Sequence, residues 1–288
     1  MRELNPNDPP VCKRTSNQRN RRNTSNGTIT FERMETEHYE QLVEERTLEL
    51  ARSLDREKAL NDMKAQFVSM ASHEFRTPLS TILSSIGLIE LYDGHDHVHN
   101  RAKHIERIKA AVFDLTSILD DFLTLDKLEH GKVAIHRSAV LLRSFLQGLL
   151  DEMGSLATKK ELQVHFRYRG DKETVTDPKV LRNILLNLLS NALKYSPSGK
   201  RVWLSACVSD KLITLNVRDE GIGIPEEAKA SLFKMFFRGE NAVHIQGTGL
   251  GLNIVQRYVE LLQGSIRFRS SKKTGTVFSV RLPVHIDR

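Results

Sequence analysis

The sequence predicts a multidomain protein in which a long all-helical part precedes an α+β domain. Its 288 residues exceed the roughly 100–200 residues usual for one domain. Residues 31–91 hold one proline and one glycine among strong helix formers. Beyond Gly131, short helical patterns alternate with strand-like runs in which apolar and polar residues alternate. These observations predict a long coiled-coil helix, an antiparallel helical hairpin and then an α/β sandwich.

Composition indicates the compartment in which the protein is expected. No segment approaches the ~18 consecutive apolar residues of a membrane-spanning helix, and the start MRELNPNDPP lacks an apolar signal segment. Cys12 and Cys207 are too few for a disulfide framework. We therefore expect a cytoplasmic protein with no membrane span.

The formal net charge of +7 is unevenly placed, because residues 1–30 alone contribute +4. This segment holds few large apolar residues, so we expect a disordered basic tail. A single tryptophan and 6% aromatic residues offer no stacking platform, which argues against a nucleic-acid partner.

Residues 31–66 predict a coiled-coil signalling helix that continues into the hairpin. Its apolar seam comes in two pieces, with the register broken between Leu54 and Leu60. The seam consists of Val43, Leu50, Leu54, Leu60, Met63, Phe67 and Met70. Pro78 lies inside the helix and removes one backbone donor, so we expect a kink there.

The segment 67–131 predicts a helical hairpin that dimerises. The run YDGHDHVHN at 92–100 is typical of a turn, and Gly131 ends the second helix. That helix carries a regular apolar stripe: Ile105, Ile108, Val112, Leu115, Leu119 and Phe122. A hairpin cannot bury such a face alone, so we expect a dimeric four-helix bundle.

Residues 132–288 predict the α/β domain. Helices are expected near 141–158, 179–195 and 250–263. The predicted strands are LQVHFRY, RVWLSAC, LITLNVRD, SIRFRS and TVFSVRL.

The motif HEFRT at 73–77 is the first candidate for chemistry. His73 and Thr77 are four residues apart and share one helix face. The motif begins like the zinc-protease pattern HExxH, but Thr77 replaces the second histidine, which excludes that class. Taken alone, His73 would be an ordinary surface histidine.

A second set of motifs suits a nucleotide. Asn187, Asn191 and Lys194 step by four and three, so one helix face presents two amides and an ammonium group. An amide oxygen can ligate Mg²⁺, and a lysine can reach a phosphate. The glycine clusters DEGIGIP and GTGLGL match neither a Rossmann fingerprint nor a P-loop.

In this order and spacing, these motifs resemble the boxes of sensor histidine kinases of two-component systems. FVSMASHEFRTPLSTI resembles the phospho-acceptor box, and DPKVLRNILLNLLSNALKYS resembles the N box. DEGIGIP, SLFKMFFRG, GTGLGL and TGTVFSV are similar to the first glycine box, the phenylalanine box and the two later glycine boxes. The resemblance spans about residues 60–285, and no residue expected for chemistry is missing from these boxes.

The resemblance implies a HisKA-type dimerisation and phospho-acceptor domain followed by a Bergerat-type (GHKL) ATP-binding sandwich. It implies Mg²⁺ and ATP, with His73 as the phosphate acceptor, Glu74 as the partner of its ring proton and Thr77 as a residue that orients water for dephosphorylation. Asn191 would hold the metal. The nucleotide would be bound by Asn187, Asn191, Lys194, Tyr195, Asp219, Gly221, Gly223, Ile224, Phe233, Arg238, Gly247, Thr248, Gly249, Leu250, Gly251, Leu252 and Thr276.

The implied partners are a second copy of the chain, a response-regulator receiver domain in trans and an unknown upstream sensor. Autophosphorylation within one subunit or between subunits stays open at this level. So does the question whether the chain is part of a longer sensor kinase.

Three other functions stay open from the residues. A Bergerat ATPase of the chaperone or DNA-repair type would share the nucleotide boxes but not the HExxTP helix. A scaffold could use nucleotide only as a switch. A metal sensor could use the turn histidines, which are His95, His97, His99 and His104.

Overall fold

A computed structural model describes residues 18–92, 97–170, 173–242, 245 and 247–284. The chain divides into two compact units, residues 1–65 and 66–288. Helix α1, Gln18–Leu91, crosses this boundary and contains Pro78. No helix among these residues is both long and apolar enough to cross a lipid bilayer.

The first unit consists of helix in its described part. The helix begins at Gln18 and so includes residues 18–30 of the segment for which the sequence predicts disorder, while residues 1–17 lie outside the described part. Extending an existing helix by one residue costs far less than nucleating a new one, so a polar segment can join a long helix. Of the predicted seam, Val43, Leu50 and Leu54 are exposed in the single chain. The side chains of Leu60, Met63, Phe67 and Met70 are outside the description.

In the second unit, the end of α1 and helix α2, Val98–Glu129, form the predicted hairpin. The rings of Phe75 and Phe122 lie 6.1 Å apart, and those of Tyr92 and His104 lie 5.7 Å apart, which fixes an antiparallel arrangement. Gly131 ends α2 with a positive φ of 62°, as predicted.

The faces of α2 differ in burial. The buried residues recur every seven positions and are His104, Ala111, Ile118 and Leu125. Three members of the predicted stripe, Ile105, Val112 and Leu119, are 44–50% exposed in the single chain. The hairpin therefore leaves an apolar stripe uncovered.

The α/β domain is built on a mixed five-stranded sheet. Its strands are β2 Gln163–Arg169, β4 Arg201–Val208, β5 Leu212–Asp219, β6 Ser265–Ser271 and β7 Gly275–Pro283. They lie in the order β2-β4-β5-β7-β6, in which only β2 and β4 pair in parallel and the other neighbours are antiparallel. The five predicted strands are thus confirmed, with bounds that differ by at most one residue at either end.

Three helices cover one face of this sheet and form its core. They are α3 Leu142–Lys159, α4 Pro178–Tyr195 and α6 Gly251–Leu261, close to the three predicted helices. Helix α4 lies centrally, against α3, α6 and β5. Its apolar residues are almost completely buried, with Leu181, Ile184 and Leu185 at 0% exposure.

Both ends of α4 are held by side chains. At the start, Oδ1 of Asp177 accepts hydrogen bonds from the backbone N–H groups of Lys179 and Val180. At the end, the ammonium group of Lys160 donates to the carbonyls of Leu193, Lys194 and Ser196.

Four small elements were not predicted. Strands β1 Ser138–Val140 and β3 Thr174–Thr176 pair antiparallel in a separate two-stranded sheet. Helix α5, Glu226–Lys229, and a 3-10 helix at Glu240–Ala242 follow β5. Elements of three or four residues are too short to show a periodic hydropathy pattern.

Asp177 offers a test of how α4 is anchored. The residue is 3% exposed, and its second oxygen accepts a hydrogen bond from the backbone N–H of His136 at 2.7 Å. Asp177→Ala removes both the helix cap and the hydrogen bond from His136. We therefore expect it to lower the free energy of unfolding, measured by urea denaturation, by about 2–3 kcal/mol. Asp177→Asn keeps one acceptor oxygen and is expected to lose less. A loss below about 0.5 kcal/mol for the alanine variant would contradict the assigned role.

Candidate nucleotide-binding site and phospho-acceptor

A cavity of about 420 Å³ lies in the second unit between the carboxyl-terminal end of β5, helix α4, the start of α6 and helix α2. Fourteen of the seventeen residues predicted to bind nucleotide line it. They are Asn187, Asn191, Lys194, Tyr195, Asp219, Gly223, Ile224, Arg238, Gly247, Thr248, Gly249, Gly251, Leu252 and Thr276. Residues more than 85 positions apart in sequence therefore form one concave site.

The other three predicted residues support the walls. Gly221 donates its N–H to Oδ1 of Asp219 at 2.8 Å. Leu250 is fully buried. Phe233 packs against Phe268 in the core. Because none of these three residues lines the cavity, their predicted role in direct nucleotide contact stays a prediction.

One end of the cavity contains a buried carboxylate, Asp219, which is 5% exposed. Its Oδ1 accepts from the backbone N–H groups of Gly221 and Thr276, at 2.8 and 3.1 Å. Its second oxygen makes no hydrogen bond among the described residues. Burial raises the pKa of Asp219, and the two N–H donors oppose that rise.

Gly223 shows why this end of the cavity requires a glycine. Its φ is +68°, and a Cβ there would collide with the backbone carbonyl of Ser271. The next residue, Ile224, donates its N–H to Oγ of Ser270. The loop that contains Gly223 and Ile224 therefore packs directly against the end of β6 and the turn that follows it.

The polar face of α4 forms the floor of the cavity. The amide of Asn191 makes no hydrogen bond to any described residue, whereas Asn187 donates to the carbonyl of Asn183 at 3.1 Å. A Cβ on Gly247 would come within 2.6 Å of the Lys194 ammonium nitrogen, and one on Gly251 within 2.6 Å of the Asn187 amide oxygen. The glycine-rich segment thus lies directly against these groups.

The charge of Lys194 is influenced by several neighbours. Burial lowers the pKa of Lys194, and the Arg238 guanidinium lowers it further. The carboxylates of Glu74, Asp114 and Asp121 act in the opposite direction. Both cations therefore face the same cavity and carry positive charge that an anionic ligand would balance.

Arg238 lies where the cavity meets the acceptor helix. Its guanidinium donates to the carbonyls of Ala242 and Ile245 at 3.1 and 2.6 Å. The same group lies 3.4 Å from Oε1 of Glu74, whose side chain is only 8% exposed. Arg238 therefore links the segment before the glycine-rich loop to the helix that carries His73.

The cavity has a wall that the sequence did not predict. Helix α2 contributes Phe113, Asp114, Ser117, Ile118 and Asp121. Oγ1 of Thr248, in the GTGLGL motif, donates to Oδ2 of Asp121 at 3.0 Å. No sequence signal distinguishes these two aspartates from ordinary surface acids of an amphipathic helix.

The candidate acceptor His73 does not line the cavity. Its side chain is 74% exposed in a shallow groove that also contains Thr77 and Thr81. Nδ1 of His73 lies 3.6 Å from Oε1 of Glu74, although adjacent residues on a helix point about 100° apart. Thr77 donates its hydroxyl to the carbonyl of His73 at 3.4 Å. Glu74, unlike His73, also lines the cavity.

The turn histidines do not gather into a metal centre within the described part of the chain. His104 is buried and stacks on Tyr92, whose ring also lies 5.3 Å from that of His97. His95 lies outside the described residues.

Family models match both parts of this site. Residues 63–131 match the His Kinase A (phospho-acceptor) domain. Residues 176–286 match the histidine kinase-, DNA gyrase B- and HSP90-like ATPase family. The chain belongs to the sensor histidine kinases. His73 lies in the phospho-acceptor domain of this kinase, and the cavity is formed mainly by its ATPase domain, so the predicted family and fold class are confirmed.

Curated relatives of the kinase are much longer proteins. The chain is 32% identical over 254 residues to the circadian input-output histidine kinase CikA of Synechococcus elongatus, covering 86% of this chain and 34% of that protein. It is 31% identical over 263 residues to the signal transduction histidine-protein kinase BarA of Escherichia coli K12, covering 88% and 27%. The chain therefore spans about a third or less of these relatives.

Solved structures share the fold. The histidine kinase AdeS of Acinetobacter baumannii matches with a TM-score of 0.59 at 21% identity, over 74% of this chain and 98% of that one. ShkA in complex with AMPPNP matches with 0.57 at 24%, over 77% and 46%. ThkA in complex with the response regulator TrrA matches with 0.58 at 20%, over 80% and 64%.

The contact between Asp121 and Thr248 predicts a pH-dependent stability. Burial raises the pKa of Asp121 to about 6 from an ordinary value of 3.8, while the hydrogen bond from Thr248 opposes the rise. Between these pH values the folded state holds a proton that the unfolded state has released, so this group's contribution to stability falls as pH rises from about 4 to about 6. Above pH 6 the buried charge costs up to about 3 kcal/mol.

Asp121→Asn keeps an acceptor for Thr248 and removes the charge. We expect the asparagine variant to exceed the wild type in free energy of unfolding by about 1–3 kcal/mol at pH 8, and the difference to vanish near pH 4. Urea unfolding at several pH values measures this difference. The matched control is Asp126→Asn, at an exposed position on the same helix. Identical pH profiles for wild type and Asp121→Asn would contradict the assignment.

Proposed function

We propose that this chain is the catalytic part of a two-component sensor that transfers the γ-phosphate of ATP to His73 and then to an aspartate of a separate response regulator. The observation that carries the proposal is the carboxylate of Glu74, because it lies beside the His73 ring and also lines the nucleotide cavity. The solved relative ShkA holds AMPPNP, and ThkA is in complex with the response regulator TrrA.

The residues around the cavity suit ATP. The second oxygen of Asp219 has no hydrogen-bond partner among the described residues and can accept from the adenine amino group, while Oδ1 accepts from two N–H groups. At the other end, Lys194 and Arg238 supply positive charge for the phosphates. The cavity volume of about 420 Å³ lies within the usual range for small-ligand sites.

The donor set also suits Mg²⁺. The amide of Asn191 is uncommitted among the described residues, and an amide oxygen is a ligand that this cation accepts together with phosphate oxygens and water. When bound, Mg²⁺ would neutralise charge on the phosphates. We assign Asn191 as its protein ligand.

The acceptor chemistry follows from the two nitrogens of His73. With the proton on Nδ1 beside Glu74, the lone pair of Nε2 is free to attack the γ-phosphorus. A bond from nitrogen to phosphorus forms, the bond to the bridging oxygen breaks, and ADP leaves with that electron pair. Glu74 stabilises the positive charge that develops on the ring.

We also propose a homodimer in which the uncovered apolar stripe of α2 forms part of a four-helix bundle. Ile105, Val112 and Leu119 recur every seven residues and are 44–50% exposed in the single chain. Residues 31–66 would transmit a signal from an unknown upstream sensor. The substrate ATP and the free, exposed Cys207 thiol favour a cytoplasmic location.

Incubation with γ-labelled ATP and Mg²⁺ tests the kinase activity. We expect label on the wild type that is stable to alkali and lost in acid, and we expect its absence in His73→Gln. His130→Gln, which changes another exposed histidine, is the matched control and should keep the label. ATP binding without label would favour the switch or scaffold, and ATP hydrolysis without label would favour a chaperone-type ATPase.

Thr77 is proposed to orient water for dephosphorylation of the regulator. Thr77→Ala is expected to leave autophosphorylation within about twofold and to slow the decay of the phosphorylated regulator at least about tenfold, because the attacking water loses a partner. Thr81→Ala is the control, since Thr81 lies one turn further along and donates to the carbonyl of Thr77. An unchanged rate of decay of the phosphorylated regulator with Thr77→Ala would contradict this role.

A further inference from the structure

The side of the five-stranded sheet opposite α3, α4 and α6 carries a concentrated positive charge. We call this side the outer face, and its strand positions are those that alternate with the buried ones. Seven exposed arginines lie on it: Arg167, Arg169, Arg201, Arg218, Arg267, Arg269 and Arg281. None of the outward positions on these five strands is an aspartate or glutamate.

The strand register shows that these arginines spread in two dimensions. One transverse row across the sheet is His165, Trp203, Arg218, Val277 and Arg269, and the next is Arg167, Ser205, Asn216, Ser279 and Arg267. A third row adds Arg169 and Arg281. At about 4.8 Å between strands and about 6.7 Å between rows, the face measures roughly 20 by 13 Å.

Most of this charge has no carboxylate partner in the part of the chain that the structure describes. Arg201 pairs with Glu220 at 2.6 Å. The other six guanidinium groups make no ion pair with a carboxylate within the described ranges of the chain. Because like charges crowded on one surface repel each other, the face attracts a partner that supplies negative charge.

The centre of the outer face limits what that partner can be. Ser205, Asn216 and Ser279 form a chain of hydrogen bonds there, with distances of 3.4 and 2.7 Å. A stable protein interface requires an apolar or aromatic centre with few charges. The middle of this face is polar instead, and arginines lie at both of its edges.

The aromatic residue of the face does not suit a nucleic-acid base. Trp203 lies under the guanidinium groups of Arg201 and Arg218, at 5.2 and 4.7 Å from its ring centroid, and against the ring of His165. Its surface is therefore occupied, whereas proteins that bind single strands offer open aromatic faces for base stacking. An area of fixed positive charge around a polar centre, with no open aromatic face for stacking, matches a planar array of phosphates.

We propose that the outer face docks on the surface of a lipid bilayer rich in anionic phospholipids, with the arginines on the lipid phosphates. Guanidinium groups suit phosphate oxygens because they donate two parallel hydrogen bonds. Helix α4, which forms the floor of the nucleotide cavity, covers the opposite side of the sheet, so docking leaves the cavity open. The attachment is electrostatic and needs no inserted segment.

The chain contains its own reporter of docking. Trp203 is the single tryptophan of the sequence, and it lies within the outer face. Energy transfer from Trp203 to a dansyl group on lipid head groups therefore reports this face at the bilayer. The basic segment 1–30 could also attract vesicles, so the experiment compares variants that leave this segment unchanged.

The experiment titrates the full chain with vesicles of 30% phosphatidylglycerol in phosphatidylcholine, or of phosphatidylcholine alone, in 0.1 M salt. Each basic residue near an anionic surface contributes a factor of about five in affinity. The variant Arg167→Gln, Arg267→Gln, Arg269→Gln should therefore bind about a hundredfold more weakly. The matched control is Arg101→Gln, Arg107→Gln, Arg143→Gln, which removes the same charge from exposed positions on α2 and α3 and should bind within about twofold of wild type.

The result expected is energy transfer with the anionic vesicles alone, lost in 1 M salt and in the outer-face variant but kept in the control. The proposal is overturned if vesicles give no energy transfer, or if both triple variants weaken binding equally. Tighter binding of a duplex DNA or of polyglutamate than of vesicles at this face would also overturn it. None of these outcomes depends on kinase activity, so failure here leaves the proposed function untouched.

Discussion

The rotational setting of α4 is the constraint on which the nucleotide site depends. One side of this helix is apolar and almost fully buried against α3, α6 and the sheet. Asp177 holds its start and Lys160 holds its end. Because the buried side cannot rotate without exposing leucines to water, the polar side must present Asn187, Asn191 and Lys194 to the cavity. A helix that supplies the core of the domain thereby also fixes the groups that we propose to bind the phosphates.

The two sides of the five-stranded sheet also have different roles. Side chains alternate along each strand, so one side packs against the helices while the other meets solvent. The inner side ends in Asp219, whose carboxylate belongs to the cavity. The outer side carries arginines around a polar centre. These arginines are exposed, so packing of the core does not require them. Core and cavity depend on the first side, and the charge distribution of the domain depends on the second.

The sequence was informative where a pattern repeats or a motif is long. Alternating hydropathy located the five strands of the main sheet, and the motif boxes located most residues of the cavity. It was uninformative where a contact joins distant segments without a local pattern. The pairing of β1 with β3 rests on three residues each, and Asp121 meets Thr248 across 127 positions. The outer face required the strand register, because its arginines lie on five strands between residues 167 and 281.

Glu74 connects the two halves of the site through one oxygen atom. Its Oε1 lies 3.6 Å from the ring of His73 and 3.4 Å from the guanidinium group of Arg238. If Arg238 turns to a phosphate, Glu74 loses a cation and its negative charge becomes more available to the imidazole ring. In the proposed mechanism, a nucleotide that draws Arg238 away would thus strengthen the interaction of Glu74 with the Nδ1 proton when Nε2 attacks. Under that proposal, a single buried carboxylate would couple occupation of the cavity to the reactivity of His73.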